Sequence, residues 1–431
     1  MKRKISVIGL GYVGLPLAVA LSKKNHVVGF DVLKKRILDL KAFDDKTLEV
    51  SAKTLRESTN LTFSSSKSHI VDSDMFIATV PTPINSKNEP DLKLLKLACQ
   101  TIGSSMKKGA IVVFESTVYP GCTEEVCVPI LERFSNLKFN QDFYVGYSPE
   151  RINPGDKNHS IGDIVKIISA SDQSTLDVLH QVYSEIISAG LYVASSIKIA
   201  EAAKIIENTQ RDINIALMNE FSLILKKLDI ESKEVIEAAA SKWNFHKYYP
   251  GLVGGHCIGV DPYYLTYQAK KLGINPQVIL SGRRVNDSMY KEIANFFLDH
   301  IKNKNKNKNK NKNKNKNKNK NKKILILGAT FKENCPDIRN SKVESLIGEM
   351  NQKKIIPHLH DPFLANRPDF KGKFRFVSKW ASTKYDGIFL AVPHNQFIKH
   401  RLTTYLNAIK VHGIIFDFKS ALPHHEKILR W

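Results

Sequence analysis

Short apolar runs alternate with stretches of helical period along the first part of the chain. Residues 4–9, "KISVIG", are rich in β-branched side chains and read as a strand buried on both faces. "LGYVGLPLAVALSKK" then repeats its apolar positions at helical spacing, and "HVVGFD" reads as a second strand. The alternation recurs through "MFIATV" (75–80), "AIVVFEST" (110–117) and "FYVGYSP" (143–149), which predicts a doubly wound α/β domain over 1–195. From 196 to 228 the pattern becomes one long helix, and helical segments continue to 301. Residues 302–322 are a strict Lys–Asn alternation. Beyond it "KILILGATF" opens a second α/β unit, with strands near "IIPHLHD", "GIFLAV" and "GIIFDF". The predicted order is an α/β domain 1–195, a helical domain 196–301, a low-complexity linker 302–323 and a second α/β domain 324–431.

Composition changes this picture at one point. A net charge of +23 suggests a nucleic-acid or anionic-surface binder, but twelve of the lysines lie in 302–323, leaving +11 for everything else. The run has no apolar residue and its like charges repel, so it is expected to stay extended and solvated, as a spacer rather than a binding element. It has no interleaved aromatic residues and no nucleic-acid motif accompanies it. No stretch approaches the ~18 apolar residues of a membrane span. The N-terminal "MKRKISVIGLGYVG" has a basic start, but its glycines, its tyrosine and the lack of a small-residue cleavage site argue against a signal peptide. The five cysteines, Cys99, Cys122, Cys127, Cys257 and Cys335, are scattered, odd in number and without zinc-site spacing. That pattern fits reduced thiols in a cytoplasmic protein with no metal site.

Three segments carry candidate chemistry. "GLGYVG" places Gly9, Gly11 and Gly14 between a strand and a helix, for a tight turn, close approach of a pyrophosphate and close helix packing. Asp31 ends the second strand, where it can take both ribose hydroxyls and repel a 2′-phosphate, so NAD is favoured over NADP. The plainer reading is a structural turn beside a surface Asp. On the long helix Lys204, Asn208 and Arg211 share a face, with Ile199, Ala203, Ile206, Ile213, Leu217 and Phe221 forming a broad apolar surface around them. Such a polar stripe either faces solvent or lines a cleft, and the helix alone favours solvent. The third segment is "GLVGGHCIGVDPYYL", in which Gly254 and Gly255 precede His256 and Cys257, and Asp261 follows. A cysteine is usually a small buried hydrophobe. The glycines suggest instead a place where a ligand comes near, and a thiol with a base and a carboxylate has the parts for nucleophilic catalysis. NAD together with a thiol suits oxidation of an alcohol past the aldehyde to the acid, because a thiohemiacetal is a hydride donor and a free aldehyde is not.

At this point the chain resembles the UDP-glucose/GDP-mannose dehydrogenases, and among them the branch acting on UDP-N-acetylhexosamines. The resemblance rests on eight ordered segments: "IGLGYVGLPLA", "VPTPI", "ESTVYPGCTEE", "SPERINPGD", "AKIIENTQRDINIALMNE", "PGLVGGHCIGVDPYYL", "GRRVNDSM" and "TFKENCPDIRNSK". It implies two Rossmann-like domains, the first for NAD and the second for UDP, joined by a helical dimerisation domain. It implies Cys257 as nucleophile, Lys204 and Asn208 as oxyanion stabilisers, Asp261 for proton transfer, and Thr117 and Glu150 for water positioning and acid/base work. The reading of Lys204 and Asn208 as a solvated face is thereby reversed. On the cofactor side it implies Gly9, Gly11, Tyr12, Val13, Gly14, Asp31, Arg36, Thr82 and Thr117. For the nucleotide sugar it implies Arg151, Ile152, Lys204, Asn208, Arg211, Gly251, Lys332, Arg339 and Lys419, with Arg283 and Arg284 as contacts across a dimer. The second α/β unit lacks GxGxxG and shows no acid in the manner of the first, which agrees with a UDP site rather than a second NAD site.

The function expected is a cytoplasmic, homodimeric NAD-dependent 6-dehydrogenase making a UDP-N-acetylhexosaminuronic acid for surface polysaccharide. The sugar epimer stays open among GlcNAc, GalNAc and ManNAc, and "WNFHKYY" (243–249) carries no assignment. Two alternatives stand: a single-step NAD dehydrogenase in which Cys257 is packing and Lys204 the acid/base, and an anionic-surface binder that uses the Lys–Asn run.

Overall fold

The structure, a computed structural model, describes residues 3–152, 160–255, 257–306, 322–364 and 370–431. The chain forms two compact units, Met1–Asn208 with Val260–Asn275, and Thr209–Gly259 with Pro276–Trp431.

The first unit alternates strands and helices: β1 (Lys4–Ile8), α1 (Gly14–Ser22), β2 (His26–Phe30), α2 (Lys34–Lys41), α3 (Ala52–Glu57), β3 (Leu61–Ser64), β4 (Met75–Ala78), α4 (Lys93–Gly103), β5 (Ala110–Phe114), α5 (Val128–Ser135), β6 (Phe143–Tyr147), β7 (Lys166–Ala170), α6 (Gln173–Ser184) and β8 (Leu191–Val193). They make a sheet of order β3-β2-β1-β4-β5-β6-β7-β8. Every residue of β4 and β5 is buried, because helices cover both faces of a parallel sheet and leave no solvent side to alternate toward. β7 departs from the parallel pattern and pairs antiparallel to β6. No crossover helix occurs among the described residues of 148–165, so the chain returns in the opposite direction.

Next come α7 (Ile197–Lys227), α8 (Ser232–Ala239), α9 (Asp261–Lys271) and α10 (Gln277–Lys306). α7 inverts the usual amphipathic order. Lys204 and Asn208 are 7% and 2% exposed, whereas Ile206 is 56% and Leu217 44% exposed. The solvated face read from the helix alone is therefore wrong for Lys204 and Asn208 and holds for Arg211, which is exposed. Several of the buried polar groups on this helix find partners. Glu201 accepts the N–H groups of Gly121 (2.5 Å) and Thr123 (2.9 Å), Asn208 donates to Asp261, and Asn219 donates to Asn286 (2.8 Å). The opposite side carries Ile199, Ile206, Leu217, Phe221 and Ile224 in one exposed line.

α10 runs five residues into the Lys–Asn repeat, where an extended linker beginning at 302 was expected. A helix already formed adds residues at little cost, and lysine is a good helix former. Residues 307–321 lie outside the described residues.

The second unit continues with β9 (Ile324–Leu327), α11 (Lys342–Gln352), β10 (His358–His360), β11 (Arg375–Phe376), β12 (Tyr385–Leu390), α12 (Asn395–Ile398), α13 (Leu402–Ala408), β13 (Ile409–Asp417) and β14 (Ile428–Arg430). The strands form a parallel sheet of order β11-β10-β9-β12-β13-β14. α10 lies on this sheet through Phe297 and Ile301, and a Cβ on Gly387 of β12 would come within 2.5 Å of the Ile301 side chain. The chain re-enters the sheet through Lys323, whose N–H donates to Asp386 (2.8 Å), beside a Lys322–Asp386 ion pair of 4.0 Å.

Candidate active site

The glycine loop leaves β1 with Gly9 at φ +97°, a conformation that favours glycine. A Cβ on Gly14 would stand 1.9 Å from the Gly9 carbonyl oxygen, so that position is set by packing, while nothing lies within 4 Å of one on Gly11. Asp31 is oriented at the rim by two backbone donors, Leu10 N–H and Leu33 N–H, both at 2.9 Å. The open space at Gly11, the N-terminus of α1 and the half-exposed Asp31 fit a dinucleotide at the C-terminal ends of β1, β2 and β4. Tyr12 is half-buried and Val13 caps α1. Arg36 is turned inward: its Nε donates to the Leu10 carbonyl (2.9 Å) and its guanidinium pairs with Asp45 (2.9 Å). Arg36 thus braces the glycine loop against the 44–50 turn. The Thr82 hydroxyl donates to the Thr117 carbonyl (2.7 Å), and the Tyr264 hydroxyl donates to the Thr82 carbonyl (2.7 Å), which joins the ends of β4 and β5.

Also in the first unit, Lys204, Asn208, Asp261 and Glu150 form a buried polar group. Asn208 Nδ2 donates to Asp261 Oδ2 at 2.5 Å. Burial pushes the Asp261 carboxyl up to about 6, against the pull of the Lys204 ammonium and the Asn208 hydrogen bond. Glu150 goes the other way. Burial would raise it, but the Lys166 ammonium and the N–H groups of Ile152 (2.6 Å) and Arg151 (2.7 Å) outweigh burial and hold it below the usual range. Lys166 lies between two carboxylates, 2.9 Å from Glu115 and 3.4 Å from Glu150, and the Tyr183 hydroxyl donates to Glu115 at 2.5 Å. The carboxyl of Glu115 is pushed up to about 7, by burial first. Lys166, Glu115 and Tyr183 were not legible as site residues: an acid closing "AIVVFE" and a lysine opening "KIISA" give no sign that they meet. Arg151 is held by Glu207 (3.1 Å) and donates to the Val165 carbonyl (2.9 Å), and Ile152 contributes its backbone N–H to Glu150. Asn153 to His159, the rest of the "SPERINPGD" stretch and beyond, lie outside the described residues.

Cys257 belongs to the second unit. It is exposed, whereas Cys99, Cys122, Cys127 and Cys335 are buried. His256 lies outside the described residues. Upstream, Asn219 grips Gly251 at both backbone groups: its Nδ2 donates to the Gly251 carbonyl (3.0 Å) and its Oδ1 accepts the Gly251 N–H (2.9 Å). The glycine pair before the thiol has a different cause from the one expected. A Cβ on Gly254 would come within 2.9 Å of the Asn340 carbonyl, and one on Gly255, at φ +81°, within 2.6 Å of the Phe331 ring. What comes near is the protein's own 331–340 segment, and Asn340 Nδ2 donates to the Gly255 carbonyl at 3.2 Å.

Arg339 and Lys419, two basic candidates of this unit, are held by acids. Arg339 is exposed and makes a forked pair with Asp337 (2.9 and 2.5 Å), and Lys419 pairs with Glu333. Lys332 is half-buried, and its carbonyl takes the Thr330 hydroxyl (2.7 Å). Arg283 is not exposed for a contact across a dimer. It is buried on Asp212 and Asp287 (both 2.6 Å), while Arg284 is exposed and donates to Ser281 (2.7 Å). The expectation that this unit has no acid in the manner of Asp31 is overturned: Asp361 follows β10 and accepts the Ala329 N–H at 2.6 Å. Nothing in "LHD" told that acid apart from a surface residue, because the glycine spacing that flagged Asp31 is missing here.

The glycine-built cradle and its acid fit the dinucleotide site of an NAD-dependent dehydrogenase. Residues 3–187 match the NAD binding domain of the UDP-glucose/GDP-mannose dehydrogenase family, residues 198–288 its central domain and residues 325–424 its UDP binding domain. The chain is 48% identical over 429 residues to UDP-N-acetyl-D-glucosamine 6-dehydrogenase of Salmonella typhi, covering 99% of this chain and 98% of the relative. It is 46% identical over 429 residues to the enzyme of that name from Pseudomonas aeruginosa, covering 99% of both. The solved structure of a UDP-D-ManNAc dehydrogenase from Pyrococcus horikoshii matches with a TM-score of 0.85 at 27% identity, covering 99% of this chain and 98% of that one. The chain belongs to the UDP-glucose/GDP-mannose dehydrogenase family and uses NAD. No helix among the described residues is long and apolar enough to cross a membrane, and no group of three or more His, Cys, Asp or Glu among them could hold a metal ion.

Proposed function

We propose that this enzyme oxidises the C6 hydroxyl of a UDP-N-acetylhexosamine to the carboxylate in two steps, through a covalent adduct on Cys257. The observation that carries the reading is the exposed thiol of Cys257 on a tightly built loop, in a chain whose other cysteines are buried. A single oxidation of an alcohol has no use for a nucleophile. Bound NAD supplies the hydride acceptor for both oxidations, held over Gly9, Gly11, Tyr12, Val13 and Gly14, with Asp31, Thr82 and Thr117 beside it and Arg36 bracing the loop. Asp261 takes the proton of the C6 hydroxyl, and Lys204 with Asn208 stabilises the charge left on that oxygen. The Cys257 thiolate adds to the aldehyde carbon to give a thiohemiacetal, and the thioester it becomes is hydrolysed by a water positioned by Thr117 and Glu150. Arg151, Ile152, Arg211, Gly251, Lys332, Arg339 and Lys419 are the proposed contacts to the nucleotide sugar. The carboxylate partners of Arg151, Arg339 and Lys419 hold these cationic arms ready and would be exchanged for phosphate.

The substrate class is supported by the Salmonella typhi and Pseudomonas aeruginosa relatives. We infer the cytoplasm as the compartment, because NAD and nucleotide sugars are made there, and surface polysaccharide as the product's destination. The exposed apolar line of α7 supports a homodimer. The deciding experiment counts NADH and acid from each UDP-N-acetylhexosamine. Two NADH per sugar, with no acid formed by Cys257→Ser, is the expected result; one NADH per sugar from the parent enzyme sinks the double oxidation.

A further inference from the structure

The second unit repeats the first down to individual hydrogen bonds. Gly328 (φ +88°) follows β9 as Gly9 (φ +97°) follows β1. Each glycine N–H donates to the last carbonyl of the neighbouring strand, Gly9 to Phe30 (2.8 Å) and Gly328 to His360 (2.9 Å). The next N–H donates to the acid beyond that strand, Leu10 to Asp31 (2.9 Å) and Ala329 to Asp361 (2.6 Å). The other carboxylate oxygen takes the N–H two residues on, Leu33 (2.9 Å) and Phe363 (2.7 Å). A Cβ on either glycine would meet the matching valine, Val80 or Val392.

The two frames part on the outer side of the acid. Asp31 is half-exposed, and Asp361 is fully buried because His394 lies on it, Nε2 to Oδ2 3.1 Å. His394 stands four residues past the end of β12, the offset Thr82 has from the end of β4. Its other nitrogen, Nδ1, accepts the Asn334 N–H (2.9 Å), so Nε2 carries the proton and donates it to Asp361. Asn334 sits at φ +58° and its Oδ1 accepts the Asn395 N–H (2.8 Å), while the Thr330 hydroxyl, 3.4 Å from Nε2, holds the Lys332 carbonyl. The ring therefore ties down a loop absent from the first unit, where α1 starts at Gly14; here α11 waits until Lys342.

We propose that His394 is a positioning residue for nucleotide binding by the second unit. With Asp361 it fills the place that the first frame leaves open for a ribose, which bars a second dinucleotide. By holding Asn334 and, through Thr330, Lys332, it fixes the 330–336 loop for the diphosphate of the nucleotide sugar. This rests on reading the second unit as the UDP end of the enzyme. The test uses the full chain, with UDP as calorimetric probe and steady-state kinetics beside it. His394→Phe keeps a ring and loses both hydrogen bonds; it should weaken UDP binding and raise the sugar KM about tenfold, with NAD KM and kcat within about twofold. His394→Asn offers an amide oxygen to the Asn334 N–H and should recover most of the loss. Parent-like UDP binding in His394→Phe overturns the proposal. If that variant does not fold, Asp361→Asn decides: weaker UDP binding with NAD binding intact supports it, and unchanged UDP binding overturns it. A parent enzyme that binds NAD but no UDP sinks the underlying reading, and the proposal with it.

Discussion

Asp261 and Glu150 are both buried carboxylates, yet their surroundings push them in opposite directions. Asp261 has one amide partner and is raised to about 6, whereas Glu150 is saturated by two backbone N–H groups and an ammonium and stays ionised. Pairs separated in this way divide acid/base work. With Asp261 as the base, kcat/KM should rise with pH through about 6 as the carboxyl loses its proton, and Asp261→Asn should abolish that limb together with most of the activity. The same shift has a stability sign. The unfolded carboxyl ionises near 3.8 and the folded one near 6, so the cost sets in as pH rises through that window and is absent below it. Asp261→Asn should therefore melt higher than the parent at pH 7 and show no such gain at pH 4, as read by calorimetry. Lys166 is the reverse case: removing it would strand Glu115 and Glu150 in the core, a change that typically costs about 3–5 kcal/mol.

At the scale of the element, α7 is the informative helix. Its residue pattern is amphipathic, and by itself that pattern puts the apolar side inward. The structure puts the polar side inward because Gly121, Thr123, Asp261, Arg283, Asn286 and Gly251 supply partners that no local pattern records. An exposed line of Ile and Leu running the length of a long helix is costly in water and suits an interface. Phe221→Lys or Leu217→Lys should convert the proposed dimer to monomer in analytical ultracentrifugation while the far-UV dichroism is kept. An unchanged mass would remove α7 from the interface. The glycine pair at 254–255 teaches the same lesson, since the demand for small residues was legible but its source was not. Phe331 and Asn340 create it from about 80 residues away, through packing.

For the whole molecule, the Lys–Asn run with Lys323 supplies about half of the net charge, and its part in the chemistry is open to test. Replacing the seven even-numbered lysines from 308 to 320 by glutamine should lower salt-sensitive binding to anionic matrices and leave kcat/KM within about twofold. A large loss of activity would give the run a part in catalysis. The two α/β substructures share the order of six strands and one glycine–acid hydrogen-bonding scheme, and they differ at the acid: Asp31 is half-exposed, whereas Asp361 meets an imidazole. A common frame is thereby given to two ligands by a single residue placed at the same offset in each.

Local pattern alone determined the alternation that gives β1, β2, β4, β5 and β6 and then β9, β10, β12 and β13, the glycine loop with Asp31, the long helix and the cysteine segment; β3, β7, β8, β11 and β14 were not read from it. Each feature so read is a short-range requirement of backbone geometry or apolar spacing that can be read within a dozen residues. Only the tertiary structure decided which side of α7 is buried, that Lys166 joins Glu115 to Glu150, that Gly255 yields to Phe331 and that Asp361 is closed by His394. Those outcomes depend on pairing buried polar groups and on steric exclusion between residues far apart in the chain. Both are settled by where the backbone brings the groups, and neither leaves a trace in the spacing of the residues themselves.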